Sequence, residues 1–322
     1  MAWAYELDGP VVVRRVEREE QPPGLRPGQV RLRFLAGGLC GSDMPPLLQV
    51  ATASDRGWHG GAPIHEIVGL VVESASEVLH VGQRVVGTGG AGQGLTEYLV
   101  ESDTTLIEVP DDLDDADAVP IQSVATVMRA AGTLPDVAGR DVAVIGAGPI
   151  GLAFVHLLRH RGAGTITVVD PVPREEVARH YGADVVVQAP SRRWLADLDR
   201  TRRPAVVVEA VGHQQATLRD ALRAVADRGF VLGFGAVDDE EYVVPYREMY
   251  ERGLTLSTGR TVEDWVGVLE AGRDYLREHR ADFAGYLTHR IGVREAQTAY
   301  ALYARPQTGR VKVALVADPP RP

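Results

Sequence analysis

The sequence predicts an α/β protein in which a doubly wound parallel sheet is joined to a glycine-rich β domain. Three observations carry that prediction. From Asp141 onward, short β-branched runs alternate with stretches of helical periodicity. A G-x-G-x-x-G turn at residues 146–151 lies between the first of those runs and its helix. Before it, the chain breaks into brief β runs divided by glycine and proline, the pattern of an irregular barrel or sandwich.

In the first part, the β runs are residues 11–13, 30–34, 67–72, 84–87 and 98–100. Turn signals at 22–24, 27–28 and 89–92 separate them. The acidic stretch 111–117 reads as a solvated linker entering a helix N-terminus, where carboxylates suit the helix dipole. Strands then follow at 142–145, 165–169, 184–187, 205–209, 230–234 and near 254–257. Helical patterns at 150–160, 174–181 and 214–227 lie between them. Two more helical patterns, 262–278 and 293–305, precede a last strand at 311–316. There are no internal repeats.

Composition narrows the function. A chain of 322 residues, 45% hydrophobic, has room for two cores at roughly 150 residues per domain. A net charge of -10 excludes a phosphate-tracking nucleic-acid surface. One cysteine rules out both a disulfide framework and a zinc lobe built from several cysteines. Lys312 is the single lysine among 34 basic residues, which reads as a compositional skew toward arginine. The acidic start is not followed by an apolar secretory core. Residues 142–158 are uncharged, but Gly146, Gly148, Pro149, Gly151 and His156 suit a strand–turn–helix better than a membrane span. The expectation is a soluble, cytoplasmic protein with no membrane partner.

In its strand-to-helix context, the Gly146-Ala147-Gly148-Pro149-Ile150-Gly151 turn is a dinucleotide fingerprint. Gly146 permits the tight turn, Gly148 lets the backbone approach a pyrophosphate, and Gly151 lets the helix pack against the sheet. The helix opening at Pro149 and Ile150 presents free amides to the anion. Asp170 ends the next strand, 19 residues after Gly151. A carboxylate there accepts both hydroxyls of the adenosine ribose and repels a 2′-phosphate, pointing to NAD rather than NADP. Its alternative is a cap on the next helix. Arg174 either stacks over adenine or faces solvent.

Two further segments are informative: Gly38-Leu39-Cys40-Gly41-Ser42-Asp43 and Pro63-Ile64-His65-Glu66-Ile67-Val68-Gly69. With them the chain resembles the medium-chain dehydrogenase/reductase superfamily, in its zinc-type alcohol and polyol dehydrogenase branch. The likeness also covers Gly94-Leu95-Thr96-Glu97-Tyr98, Val208-Glu209-Ala210-Val211-Gly212 and Gly309-Arg310-Val311-Lys312-Val313. It implies a GroES-like catalytic β-barrel, residues 1–118 and 260–322, with an inserted Rossmann domain, residues 119–259.

The resemblance also implies roles. Cys40 and His65 match catalytic zinc ligands, and Glu66 matches the acid that joins or leaves the metal's shell. Asp43 matches the acid orienting the ligand histidine. Ser42 matches the hydroxyl that bonds the substrate oxygen and passes its proton, and Val211 and Gly235 match further cofactor contacts. The implied reaction is hydride transfer between NAD(H) and a secondary alcohol of the polyol, sugar or cyclitol kind. One catalytic zinc and no structural zinc are implied, in a homodimer or homotetramer paired through the strand near 254–257. Thiolate and imidazole are good zinc ligands, and zinc is a Lewis acid.

Four departures stand out. Gln122 occupies the position of a third ligand, Glu, and a carboxamide is a poor zinc ligand. Pro45 replaces a proton-relay histidine, and Ile64 replaces a glycine. The four-cysteine lobe is missing between Gly87 and Gly94. His59 is a candidate substitute ligand or relay. Two rival readings follow: a metal-free quinone or enone reductase of the same superfamily, and an NAD-binding sensor or partner subunit without turnover. For Cys40 the plain alternative is a small buried hydrophobe, and for His65 a hydrogen-bonded structural histidine.

Overall fold

The computed structural model describes residues 1–19, 24–50, 61–89, 94–259 and 262–318. The chain forms two compact units. One is built from Met1–Ala125, Glu263–Pro306 and Arg310–Pro322; the other is Thr126–Val262 with Gln307–Gly309.

A seven-stranded sheet makes the first unit. Its order runs Leu287–Gly292, Lys312–Val316, Gln29–Gly38, Glu66–Ser74, Arg84–Thr88 and Leu106–Glu108, with Tyr98–Ser102 also paired to Gln29–Gly38. Only the first two strands are parallel to each other; the other pairings are antiparallel. Leu32, Phe34, Ile67, Leu99, Tyr300 and Val313 meet in its core. Helix Trp265–Glu278 lies close enough to Ala125 that a methyl at Gly272 would approach the Ala125 Cβ at 2.6 Å.

The second unit is the doubly wound sheet. All six strands are parallel, in the order Val185–Val187, Ile166–Val169, Val142–Ile145, Val206–Glu209, Phe230–Gly233 and Thr255–Ser257. From Val142–Ile145 the chain winds first one way and then the other, which leaves a crevice at the carboxyl ends of the central strands. The central strands are buried, hence their valine- and isoleucine-rich runs, whereas the edge strands Val185–Val187 and Thr255–Ser257 are partly exposed.

Several elements go beyond expectation, among them helices Ser191–Asp197 and Tyr246–Arg252. The N-terminus adds a hairpin, Ala2–Gly9 with Val12–Arg18, turned through Val11 at φ 59°. Leu287–Gly292 is a strand, its residues alternating only partly buried and exposed. Pro120–Ala131 is a helix. The acidic stretch needs correction. Asp114 caps helix Asp115–Ala118 through the Asp117 N–H at 2.7 Å, as acids at a helix start should. Its neighbours are not merely solvated, because Asp115 pairs with Arg84, Asp112 with Arg280, and both Asp114 and Asp117 with Arg290. The turn signals at 22–23 and 90–92, and His59, lie outside the described residues. Among the described residues no helix is long and apolar enough to cross a membrane.

Candidate active site

Strand Gln29–Gly38 delivers Cys40 to the start of a short 3-10 turn, Gly41–Asp43. Strand Glu66–Ser74 begins one residue after His65. The two strands are neighbours, with Gly38 opposite Glu66, so residues about 25 positions apart in sequence converge. Among the described residues, donor atoms of Cys40, His65 and Glu66 lie within 4.8 Å of one another.

Asp43 holds this group together. One carboxylate oxygen, Oδ2, accepts the Cys40 backbone N–H at 2.8 Å, and Oδ1 sits 2.9 Å from His65 Nδ1. With Nδ1 so engaged, Nε2 is the imidazole's remaining donor atom. Burial alone would lower the His65 pKa, but the Asp43 carboxylate and the Cys40 sulfur hold it well above the usual histidine value. A metal at Nε2 would compete with the proton that these neighbours favour. Upstream, the Tyr300 hydroxyl donates to the Pro63 carbonyl at 2.6 Å and anchors the approach to His65. Burial raises that phenol's pKa well above its usual range, keeping it a neutral donor. Ile64 finds its space over Gly37, where any β-carbon would overlap the Ile64 Cδ1.

Glu66 is fully buried, and so is its partner: Lys312 Nζ donates to Glu66 Oε1 at 2.5 Å, with side-chain exposures of 1% and 0%. Oε2 has no partner. Sequence reading passed over Lys312 as a compositional oddity, although its being the chain's lone lysine was the available signal. Gly38 explains how the pair fits. Its strand runs between those of Glu66 and Lys312, and a β-carbon there would overlap Glu66 Oε2 and stand 3.0 Å from Lys312 Cε. A soft thiolate, an imidazole and a buried carboxylate with an unpartnered oxygen form a donor set suited to zinc.

The remaining predicted residues are placed as follows. Ser42 is exposed on the 3-10 turn between Cys40 and Asp43. Pro45 is buried in helix Met44–Leu48. Gln122 is buried in helix Pro120–Ala131, one turn beyond Val119, whose Cγ1 lies over Gly38.

In the second unit the three glycines have separate reasons. Gly146 has φ 101°, a conformation other residues resist. Nothing stands within 4 Å of where a Gly148 β-carbon would be, so the backbone there is approachable. A β-carbon at Gly151 would collide with the Gly146 carbonyl. Helix Pro149–His160 starts here with Gly148 as its N-cap, and the N–H groups of its first turn, at Ile150 and Gly151, are open to an anion. The open cradle fits a pyrophosphate. We expect Gly151→Ala to abolish dinucleotide binding, measured by calorimetry, with a stability loss of about 1–3 kcal/mol from overpacking.

Asp170 Oδ2 accepts the Ala147 N–H at 2.7 Å and Oδ1 the Val172 N–H at 2.8 Å, which ties the strand end to the glycine turn. Arg174 is only 7% exposed, so the solvent-facing alternative does not hold. Val211 donates its N–H to Glu209 Oε1 at 3.0 Å, and Gly235 packs directly on Gly212. Two features were missed in the sequence. Glu209 is buried and also accepts from the Gly212 N–H and the Thr217 hydroxyl. His213, at φ 57°, has its Nδ1 2.8 Å from Asp238.

Comparison with known proteins agrees with this geometry. The family profile described as alcohol dehydrogenase GroES-like domain matches residues 26–111, and that described as zinc-binding dehydrogenase matches residues 149–272. The chain belongs to the zinc-type medium-chain dehydrogenase/reductase superfamily. This dehydrogenase is 28% identical over 286 residues to the L-threonine 3-dehydrogenase of Legionella pneumophila strain Corby, covering 77% of this chain and 81% of that one. It is also 28% identical to the (R,R)-butanediol dehydrogenase of Bacillus subtilis strain 168, over 67% of this chain and 72% of that one. In fold, it matches the alcohol dehydrogenase TADH from Thermus sp. ATN1, with a TM-score of 0.81 and 24% identity over 98% of this chain and all of that one. The enzyme is thus an oxidoreductase acting on alcohols.

Proposed function

We propose that this dehydrogenase moves hydride between NAD(H) and a secondary alcohol, with a polyol, sugar or vicinal diol as its substrate class. The observation that carries the proposal is the Cys40–His65–Glu66 donor set braced by Asp43. Those three residues would hold a zinc ion, which when bound supplies the Lewis acidity that lowers an alcohol's pKa. NAD, when bound, supplies the hydride acceptor.

The chain's own residues do the rest. Asp43 fixes the Cys40 backbone and the His65 ring before any ligand arrives. Ser42 offers an exposed hydroxyl that bonds the substrate oxygen and takes up its proton. Pro45 cannot relay that proton, so it passes to water or to the nicotinamide ribose. Gly146, Gly148, Pro149, Ile150 and Gly151 seat the pyrophosphate, and Asp170 takes the ribose hydroxyls through the second lone pairs of its oxygens. The relatives named for threonine and butanediol support a substrate carrying a second polar group beside the reacting hydroxyl. We further propose a homodimer joined along the edge strand Thr255–Ser257.

The test is metal content by mass spectrometry, followed by NAD reduction against a panel of diols, polyols and L-threonine. Turnover that is lost with a chelator and restored by zinc is expected. NAD should be preferred over NADP by about a hundredfold in kcat/KM, because the Asp170 carboxylate repels the 2′-phosphate. No turnover of any alcohol or ketone by zinc-loaded enzyme overturns the proposal. Gln122 favours a second reading, a metal-free reductase; zinc-free protein whose activity ignores chelators would establish it.

A further inference from the structure

The second unit contains a cavity of about 430 Å³ at the carboxyl ends of its central strands. Ile145, Val169, Pro171 and Val211 give it apolar walls. It adjoins the glycine turn and Asp170, because Ile145 and Val169 directly precede Gly146 and Asp170. On the NAD reading above, this is where the base of the dinucleotide rests, beyond a ribose held at Asp170.

The rim of the cavity is unusual for a slot that takes a neutral base. Arg192 and Arg219 both line it, and among the described residues neither side chain has a hydrogen bond or an ion pair. Asp220, next to Arg219 in helix Gln215–Ala224, lines it as well. Its Oδ2 accepts the Ser191 hydroxyl at 2.6 Å, which fixes the carboxylate. Its Oδ1 has no protein partner among the described residues. A fixed acceptor and two free donors therefore line the same cavity as its apolar walls.

That combination of groups complements one edge of adenine, where the 6-amino donor is next to the N1 acceptor. Hypoxanthine presents the opposite order, a 6-oxo acceptor beside an N1–H donor. We propose that Asp220 and the flanking arginines read the base itself: Asp220 accepts the adenine 6-amino group, and Arg192 and Arg219 donate to or stack on the ring. The pocket thus discriminates between purines, a specificity the alcohol chemistry does not require. A site that bonds a polar group disfavours the analogue that reverses it, because donor then faces donor and acceptor faces acceptor.

The test compares equilibrium binding of NADH and reduced nicotinamide hypoxanthine dinucleotide by calorimetry. Wild-type enzyme should bind the adenine form at least about tenfold more tightly. Asp220→Asn, whose amide can donate to a 6-oxo group and still accept from Ser191, should narrow the ratio to about twofold or reverse it. Arg219→Gln should weaken both dinucleotides and flatten the dependence of affinity on salt. Equal affinities in the wild type overturn the base reading and leave the cofactor assignment standing. Binding of neither dinucleotide overturns the cofactor assignment and this inference with it.

Discussion

Lys312→Met is expected to cost the metal-free enzyme about 3–5 kcal/mol, the penalty for stranding one member of a buried ion pair. Glu66 and Lys312 are side by side with essentially no access to water, 2.5 Å between Nζ and Oε1. Removing the ammonium leaves a carboxylate whose other oxygen already lacks a partner. It must either be protonated or draw water into a packed sheet. Urea denaturation followed by far-UV circular dichroism measures the loss. The double variant Glu66→Gln with Lys312→Met should recover most of it, since a buried pair replaced as a unit costs little. A single variant within about 0.5 kcal/mol of wild type would show that the pair is not needed. Zinc should shrink the deficit, because a cation held beside the Glu66 carboxylate would offset the missing ammonium. Lys312→Arg is no cure: Gly38 leaves room for a slender stem, and a forked guanidinium is wider.

The second large effect concerns activity. Cys40→Ala should remove most bound zinc and lower kcat/KM by roughly a thousandfold, the several kcal/mol expected of a lost Lewis acid. Cys40 is only half-buried and sits on a turn, so folding should be nearly unaffected. NADH binding, which depends on the glycine turn of the other unit, should persist. Asp43→Asn should fall between, at about 10–100-fold, because it loosens the donor residues without removing one. Metal analysis, steady-state kinetics and NADH titration on the same preparations separate the three effects. Full activity in Cys40→Ala would refute the metal reading.

Much of this was legible beforehand where local chemistry dictates the outcome. The central parallel strands announce themselves as valine-rich runs because they are buried, and the glycines of the turn at Gly146 and Gly151 are demanded by a positive φ and a backbone collision. Cys40, Asp43 and His65 were readable as short motifs. What escaped notice depends on long-range pairing. Lys312 and Glu66 are 246 positions apart, and only the strand order brings them to either side of Gly38. Leu287–Gly292 is half-exposed and lacks the apolar rhythm of a buried strand. The acids near Asp114 resemble a solvated run until Arg290, Arg280 and Arg84 arrive from elsewhere in the chain. The pocket rim joins Ser191 to Asp220 across 29 residues, which no motif records.

The bracing by Asp43 bears on how the enzyme matures. A carboxylate that grips the amide of Cys40 and the ring of His65, on two separate segments, has all three in place only once strands Gln29–Gly38 and Glu66–Ser74 have paired. An unfolded chain has no such grip and little claim on zinc. On the zinc reading, folding should come first and metallation last, with the apo and zinc-loaded forms giving the same far-UV circular dichroism, unlike a zinc finger. Starved of zinc, the protein should persist as an intact, dormant reserve that wakes as soon as the ion returns.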